Sequence, residues 1–221
     1  MTVDEVYKIS LFQCRKNQLG SLPPLDFANA FNAAQRNYYD TLIGRVEQYR
    51  YDKSVPRIGL DMTDVLVGKL MPFHKDAIIS VLTGVATKPL DYNKLSAMYT
   101  VSDDSIERTN ENKLADRLKS SIDPITSTSP IFVEKSATWS IYPNTITSIK
   151  VSYYSLPIEI KWGYTIDGNG RPVYSPSASI DPIWRDNDID EIIARSMKLL
   201  GVSLKENVLT SFGESVIQKG E

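Results

Sequence analysis

The side chains that most often carry enzyme chemistry are scarce in this chain of 221 residues. It contains one histidine, His74, and one cysteine, Cys14. A Ser-His or Cys-His mechanism, or a zinc site with imidazole and thiolate ligands, would have to use those two residues. His74 has no nucleophile elbow of the GxSxG type near it, so a surface or packing role is the simpler interpretation. We predict that the protein is not an enzyme, with no catalytic residue, metal site or cofactor.

Acidic residues offer two weaker alternatives. Segment 186–191 places carboxylates at positions one, three and five of a calcium loop, but position six is Glu191 where glycine is needed, and position twelve is Met197. Helix capping by Asp186 or Asp188 explains the same residues through the helix dipole. Carboxylates such as Asp103, Asp104 or Glu134 could also meet in space as an acid–base pair. That possibility keeps a small hydrolase that uses paired carboxylates as the alternative function.

Glycines in segment 167–170 resemble the start of a dinucleotide fingerprint. A phosphate cradle must lie between a strand and a helix, whereas here Arg171, Pro172 and Val173 continue as a strand. Asp-Gly and Asn-Gly are typical of tight hairpin turns. The segment therefore predicts a β-hairpin.

Tyrosine and arginine favour an interaction protein. Tyrosine is twice as frequent as phenylalanine, 12 against 6, and both tyrosine and arginine are enriched at interface hot spots. They alternate at the end of a predicted helix near residues 45–57, although a solvated helix end and the preference of strands for tyrosine are plain alternatives. From residue chemistry we select six candidate partner contacts: Tyr49, Arg50, Tyr51, Arg57, Tyr142 and Trp184.

Composition excludes several broad classes. The 25 basic and 27 acidic residues leave a net charge of −2, whereas a dedicated nucleic-acid binder normally has a basic excess. The acidic N-terminus has no signal-peptide pattern. The most apolar stretch, residues 77–86, is too short to span a membrane, and we expect no membrane association.

Apolar periodicity predicts helices over residues 1–72. Thr2 and Glu5 have the spacing of a capping box for a helix over residues 3–17, in which Cys14 is a small buried group.

Pro24 suits the first turn of a long second helix that runs to about Tyr51. A short third helix, capped by Asp61 or Thr63, ends near Leu70.

Residues 77–175 are predicted to be mainly β. Runs rich in valine, isoleucine, threonine and tyrosine alternate with turn residues. They cover residues 77–82, 98–101, 131–134, 138–142, 146–154, 158–166 and 171–174. Their spacing suggests an antiparallel meander, with a helix inserted near residues 105–121.

A helical tail is predicted over residues 186–218. Its first helix ends at Gly201 as a C′ residue, and a second helical segment covers residues 206–218. The fold class is therefore α+β, and we predict a single domain over residues 1–221.

Short segments in a fixed order resemble the head-to-tail connector, or ring and adaptor, proteins of crAss-like tailed bacteriophages. The likeness spans nearly the full length and depends on the order of the segments. The matching segments are Thr2-Val-Asp-Glu-Val-Tyr7, Lys16-Asn-Gln-Leu-Gly20, Asn32-Ala-Ala-Gln35, Lys88-Pro-Leu-Asp-Tyr92, Ile141-Tyr-Pro143, Val151-Ser-Tyr-Tyr154 with Pro157 and Trp162, and the helix that closes with Leu199-Leu-Gly-Val202.

This resemblance implies a non-catalytic virion structural protein at the portal vertex, assembled in the host cytoplasm. It implies a homo-oligomeric ring, of twelve copies if it matches a twelvefold portal, that extends the DNA channel and docks further tail or ring proteins. Such a ring is built from heterologous contacts, so each subunit presents two different faces. DNA would pass without tight binding, in keeping with the missing basic excess. An interaction module outside the virion is a further alternative.

Overall fold

The α+β fold class is confirmed by the computed structural model, which describes residues 1–17, 22–51, 62–121, 124–203 and 214–215. The helices in these ranges are α1 Val3–Asn17, α2 Pro24–Tyr51, α3 Met62–Leu70, α4 Glu111–Lys119 and α5 Asp186–Ser203. The strands are β1 His74–Leu82, β2 Val85–Thr87, β3 Tyr92–Thr100, β4 Glu107–Arg108, β5 Ile131–Glu134, β6 Thr138–Tyr142, β7 Ser148–Ser155, β8 Tyr164–Ile166 and β9 Pro172–Tyr174.

The chain divides into two compact units, which differs from the predicted single domain. The helical unit contains Met1–Pro72 and Pro157–Glu221, and the sheet unit contains Phe73–Leu156. The division arises because helix α5 packs against α2 and completes the helical core. The strands between them have a separate core of their own.

The predicted start of α1 is confirmed in atomic detail. The backbone N–H of Thr2 donates to Glu5 Oε2 at 2.8 Å, and the N–H of Glu5 donates to Thr2 Oγ1 at 3.3 Å. This reciprocal pair satisfies two N–H groups that the helix itself leaves unpaired. Cys14 is buried, as predicted, and its burial raises the pKa of the thiol.

Helix α2 carries the apolar stripe that its sequence predicts. Phe27, Phe31 and Leu42 on this stripe are fully buried. Facing residues of α5, including Ile192 and Met197, are buried as well. The stripe also includes Val46, whose side chain lies outside the described residues.

Two amides of α2 hold a neighbouring extended segment in place. Asn32 Nδ2 donates to the carbonyl of Ile160 at 3.1 Å, and the N–H of Ile160 donates to Asn32 Oδ1 at 2.9 Å. Gln35 Nε2 donates to the carbonyl of Ile158 at 2.9 Å. Side chains thus pair the backbone of residues 158–160 as a neighbouring strand would, so the predicted strand over 158–166 is formed only at Tyr164–Ile166.

The sheet unit contains a seven-stranded sheet in the order β3-β7-β1-β2-β6-β5-β4. The predicted meander is wrong, because β1 pairs with β7 and β2 pairs with β6 across long stretches of sequence. Strand β4 is parallel to β5, whereas the other pairs in this sheet are antiparallel. Short apolar runs predict where strands lie but do not encode which strand each one meets.

One face of this sheet forms the core of the sheet unit. Ile149 and Val151 of β7 point inward with Val81 of β1 and Met98 of β3. They share one apolar cluster with Trp139 of β6, which is fully buried. Alternate residues of the same strands therefore lie on the outer face of the sheet.

The predicted hairpin is confirmed as the two-stranded sheet β8–β9. Asp167 closes its turn, because Asp167 Oδ1 accepts from the N–H groups of Asn169 at 2.9 Å and Arg171 at 2.8 Å. Gly170 has a φ of 76°, a left-handed conformation that glycine adopts without strain.

Two helix predictions have mixed outcomes. The inserted helix is confirmed as α4, and none of its residues is buried. The predicted end of the C-terminal helix at Gly201 is wrong, because α5 continues to Ser203 with Gly201 buried in its last turn. Packing of that turn outweighs the low helix propensity of glycine. The second tail segment, 206–218, lies outside the described residues except for 214–215.

Candidate interaction surfaces

Four of the six candidate partner contacts lie beyond what the structure describes. Tyr49, Arg50 and Tyr51 belong to the last turns of α2, and their side chains are outside the described residues. Arg57 lies wholly outside them. These four assignments stay predictions.

Tyr142 lies at the surface of the sheet unit. It is half-buried at the end of β6 and lines a shallow cavity of about 340 Å³ with Leu118, Ile125 and Pro143. Leu118 is an exposed residue of α4. This position is compatible with a partner contact at Tyr142, which stays a prediction.

Trp184 is a correction, because it is a core residue of the helical unit. It is 4% exposed, and its ring lies 5.2 Å from that of Tyr38. The indole N–H donates to Gln35 Oε1 at 3.2 Å. Its large apolar ring and single donor are both satisfied inside the unit, so Trp184 presents no surface to a partner.

The outer sheet face, which we define by Asp76, Ile78, Leu82, Tyr99 and Lys150, carries apolar residues that sequence reasoning missed. Ile78 pairs with Lys150 and Lys150 with Tyr99 across β1, β7 and β3, so the three side chains share one face. Ile78 is 75% exposed, and Leu82 is equally so. The signal was the run Ala77-Ile-Ile-Ser-Val-Leu82, in which apolar residues occupy both faces of one strand.

The hairpin face, defined by Tyr164, Ile166, Pro172 and Tyr174, is the second apolar surface. Tyr164 pairs with Tyr174 and Ile166 with Pro172, so all four side chains lie on one side. The rings of Tyr164 and Tyr174 lie 5.8 and 5.6 Å from that of Trp162. Ile166, further toward the turn, is 69% exposed. The face therefore packs against Trp162 at Tyr164 and Tyr174 and is exposed to solvent near the turn, at Ile166.

The other sequence candidates have structural partners. The ring of His74 lies edge-on to that of Tyr154 at 5.3 Å, which fits its predicted packing role. Asp186 and Asp188 lie in the first turn of α5, where the helix dipole favours carboxylates, and neither precedes the helix as a capping residue would. Asp103 pairs with Lys150 at 2.7 Å.

A charged cluster surrounds Asp188 in the helical unit. Asp188 is 2% exposed. Its Oδ1 accepts from Tyr38 Oη at 3.1 Å and lies 3.4 Å from Lys69 Nζ, while Oδ2 accepts from Arg185 Nε at 3.1 Å. Burial raises the pKa of the Tyr38 phenol, and the nearby carboxylates of Glu191 and Asp188 raise it further.

This cluster links α2, α3 and α5, and its carboxylates are already hydrogen-bonded. Glu191 accepts from Arg195 at 3.0 Å, and Arg195 also donates to Asn37 at 2.8 Å. Asp188 and Glu191 come from the same helix. The hydrolase alternative expected acidic residues from separate segments that converge with room for a substrate, and this pair does not match it.

Glu5 and Asp186 do come from separate segments, and they line one open cavity with Met1. Glu5 accepts the capping hydrogen bond from Thr2, and Asp186 pairs with the N-terminal ammonium group of Met1. Both carboxylates thus have structural roles in the helical unit.

Glu134 is the centre of a second charged cluster, in the sheet unit. Its Oε1 accepts from Lys88 Nζ at 2.8 Å and from Tyr92 Oη at 2.9 Å, and its Oε2 lies 2.9 Å from Arg108. Lys88 is only 11% exposed and lies over the rings of Tyr92 and Trp139. Burial alone would raise the pKa of Glu134, but these hydrogen bonds and cations hold the pKa below its ordinary value.

We expect Glu134→Gln to destabilise the sheet unit by about 2 kcal/mol at pH 7, because it leaves the poorly hydrated ammonium of Lys88 without its carboxylate. A lowered folded-state pKa means that this stability is complete above the unfolded pKa, about 4.3, and is lost as the pH falls through the folded pKa. The difference in the free energy of unfolding between wild type and variant should therefore become smaller from pH 7 to pH 3.

Amide hydrogen exchange of the β5 and β6 peptides would measure the effect. Glu107→Gln is the matched control, because Glu107 is exposed and pairs with Arg117 at 3.2 Å, so its loss should cost under about 0.5 kcal/mol. If wild type and Glu134→Gln differed in stability by the same amount at pH 7 and at pH 3, the role given to the Glu134 carboxylate would be contradicted.

Comparison with known proteins adds no assignment to these surfaces: no family model and no curated protein matches the chain. Within residues 1–17, 22–51, 62–121, 124–203 and 214–215, no three histidine, cysteine or acidic residues are grouped to hold a metal ion. The described helices include none that is long and apolar enough to cross a membrane.

Proposed function

We propose that this protein is a non-catalytic structural component of a tailed phage virion, which forms a ring at the junction of portal and tail. The ring extends the DNA channel and docks the next tail or ring protein. The proposal begins from the order of segments that resemble crAss-like phage connectors. The observation that carries it is the pair of apolar surfaces, one on each compact unit.

A closed ring of head-to-tail contacts needs two different faces on each subunit. The outer sheet face belongs to the sheet unit and the hairpin face to the helical unit. Large exposed apolar residues such as Ile78 and Ile166 are costly to leave in water, since burial of such a side chain contributes about 1.5–3 kcal/mol. Two such surfaces of different shape support assembly by heterologous contacts.

Charge supports the second part of the proposal. The chain has 25 basic and 27 acidic residues. Buried or half-buried cations such as Lys69, Lys88 and Arg195 are engaged by Asp188, Glu134 and Glu191. The chain as a whole has no basic excess to hold phosphates, which suits a channel wall along which DNA must slide.

The test is quantitative mass spectrometry of purified particles of the phage that encodes the chain. We expect the protein in the virion at the copy number of the portal protein, about twelve. Reconstitution with the portal should give a complex of the same stoichiometry. Absence from particles, together with a protein that stays monomeric beside the portal, would overturn the proposal.

A further inference from the structure

We propose that the hairpin face of one copy docks on the outer sheet face of the next copy. The inference rests on the proposed ring, and it names the two surfaces that would form the contact between neighbouring subunits. Each surface is apolar at its centre and charged at its edge.

The two surfaces match in size. Each strand of the hairpin has three residues and is therefore about 10 Å long, and the axes of its two strands lie about 5 Å apart. The outer sheet face spans β1, β7 and β3, which is about 10 Å between its outer strand axes. The hairpin can therefore lie on this face as one sheet lies on another, with Ile166 against Ile78 and Tyr99.

The two surfaces also carry exposed charges of opposite sign. Asp76 is an acidic residue of the outer sheet face. Arg171 is the one basic residue of the hairpin, residues 164–174, and the carboxylate of Asp167 is engaged by the backbone of the turn.

Two of these charges, Asp76 and Arg171, have no ion-pair partner among the described residues. Lys150 already pairs with Asp103, whereas Asp76 accepts a hydrogen bond from Ser152 and makes no salt bridge with any described residue. Arg171 at the hairpin turn is exposed and likewise makes no salt bridge in the described part of the chain. Arg171 of one copy and Asp76 of the next are the pair that docking would bring together.

This complementarity identifies the occupant as a second copy of the chain. Both halves of the contact are present on each molecule, they differ from each other, and opposite charges meet. When the contact repeats head to tail, each copy uses its hairpin face on one neighbour and its outer sheet face on the other.

Mixing two variants that are each defective on one surface tests this directly. Ile78→Lys disables the outer sheet face and Ile166→Lys disables the hairpin face, and each should weaken self-association by about 30-fold. Mixed together, the two variants still have one intact surface each. Native mass spectrometry should then show a one-to-one heterodimer and no larger ring, because only the intact pair of surfaces can join.

Matched controls use exposed apolar residues outside the two surfaces. Val173 lies on the opposite side of the hairpin, and Leu90 lies between β2 and β3. Val173→Lys and Leu90→Lys should assemble like the wild type. All four positions are exposed, so unchanged thermal melting of each variant would verify that the fold is intact.

A charge exchange gives an independent readout. Arg171→Glu should weaken self-association, and Arg171→Glu with Asp76→Lys in the same chain should restore most of it.

Three results would overturn the inference. The first is a wild-type chain that stays monomeric up to about 100 µM, the second is a mixture without heterodimer, and the third is assembly of either lysine variant at wild-type strength. Each leaves the ring itself to be judged from the protein content of virions, so the two proposals fail separately.

Discussion

Trp184→Ala should lower the free energy of unfolding of the helical unit by about 3–5 kcal/mol, the range for a buried aromatic residue replaced by alanine. The ring fills the space beside Tyr38 and Tyr39, with centroid distances of 5.2 and 6.4 Å. Its loss leaves a cavity that helices α2 and α5 cannot fully close. It also leaves Gln35 Oε1, a buried acceptor, without the indole N–H that donates to it.

Hydrogen exchange of the α2 and α5 amides in rising denaturant would measure this loss, since it reports on the helical unit alone. Trp184→Phe is the matched control. It keeps most of the ring but removes the N–H donor, so it should cost about 1–2 kcal/mol. A stable Trp184→Ala protein that has lost only self-association would show that Trp184 is a contact residue after all.

Trp184 illustrates what the sequence could not reveal. Tryptophan is enriched both at interfaces and in cores, and the residue lies just before helix α5, where no periodicity applies. Its burial depends on Gln35 and Tyr38, which are about 150 positions away. A local pattern carries no information about such a contact.

Local patterns did predict the elements whose cause is local. The capping box at Thr2 and Glu5, the stripe of α2 and the turn at Asp167 all depend on residues within a few positions of each other. Strands β5 and β6 lie at the predicted residues for the same reason. The pairing of β1 with β7, about 70 residues apart, has no such local cause.

The outer sheet face shows the same limit of prediction from sequence, here for a candidate site. The run that forms β1 predicts a strand, and its apolar residues on both faces could also have indicated a strand buried on both sides. Only the pairing with β7, which places Lys150 beside Ile78, shows that this face is open. The hairpin face required the register of Tyr164 with Tyr174 in the same way.

Asp188→Asn should destabilise the helical unit by about 3 kcal/mol. Removal of one partner from a buried ion pair typically costs 3–5 kcal/mol, and the lower end applies because Lys69 and Arg185 are partly exposed and regain some hydration. Tyr38 has no such route to water. The amide also places an N–H donor or a weaker acceptor where Arg185 Nε now meets a carboxylate oxygen.

A control variant and a double variant separate the effect of the lost charge from the effect of lost packing. Asp186→Asn is the matched control. Asp186 lies two residues before Asp188 in the same helix and is 66% exposed, so this change should cost under about 0.5 kcal/mol. Lys69→Met added to Asp188→Asn removes a cation that has lost its nearer carboxylate and retains only Glu191, at 3.8 Å, so the double variant should regain about 1 kcal/mol. A double variant less stable than Asp188→Asn would contradict the electrostatic account, because uncompensated positive charge would then not be the cause. The expected recovery would identify this cluster as the link that fixes α3 against α2 and α5, the framework that also holds residues 158–160 through Asn32 and Gln35.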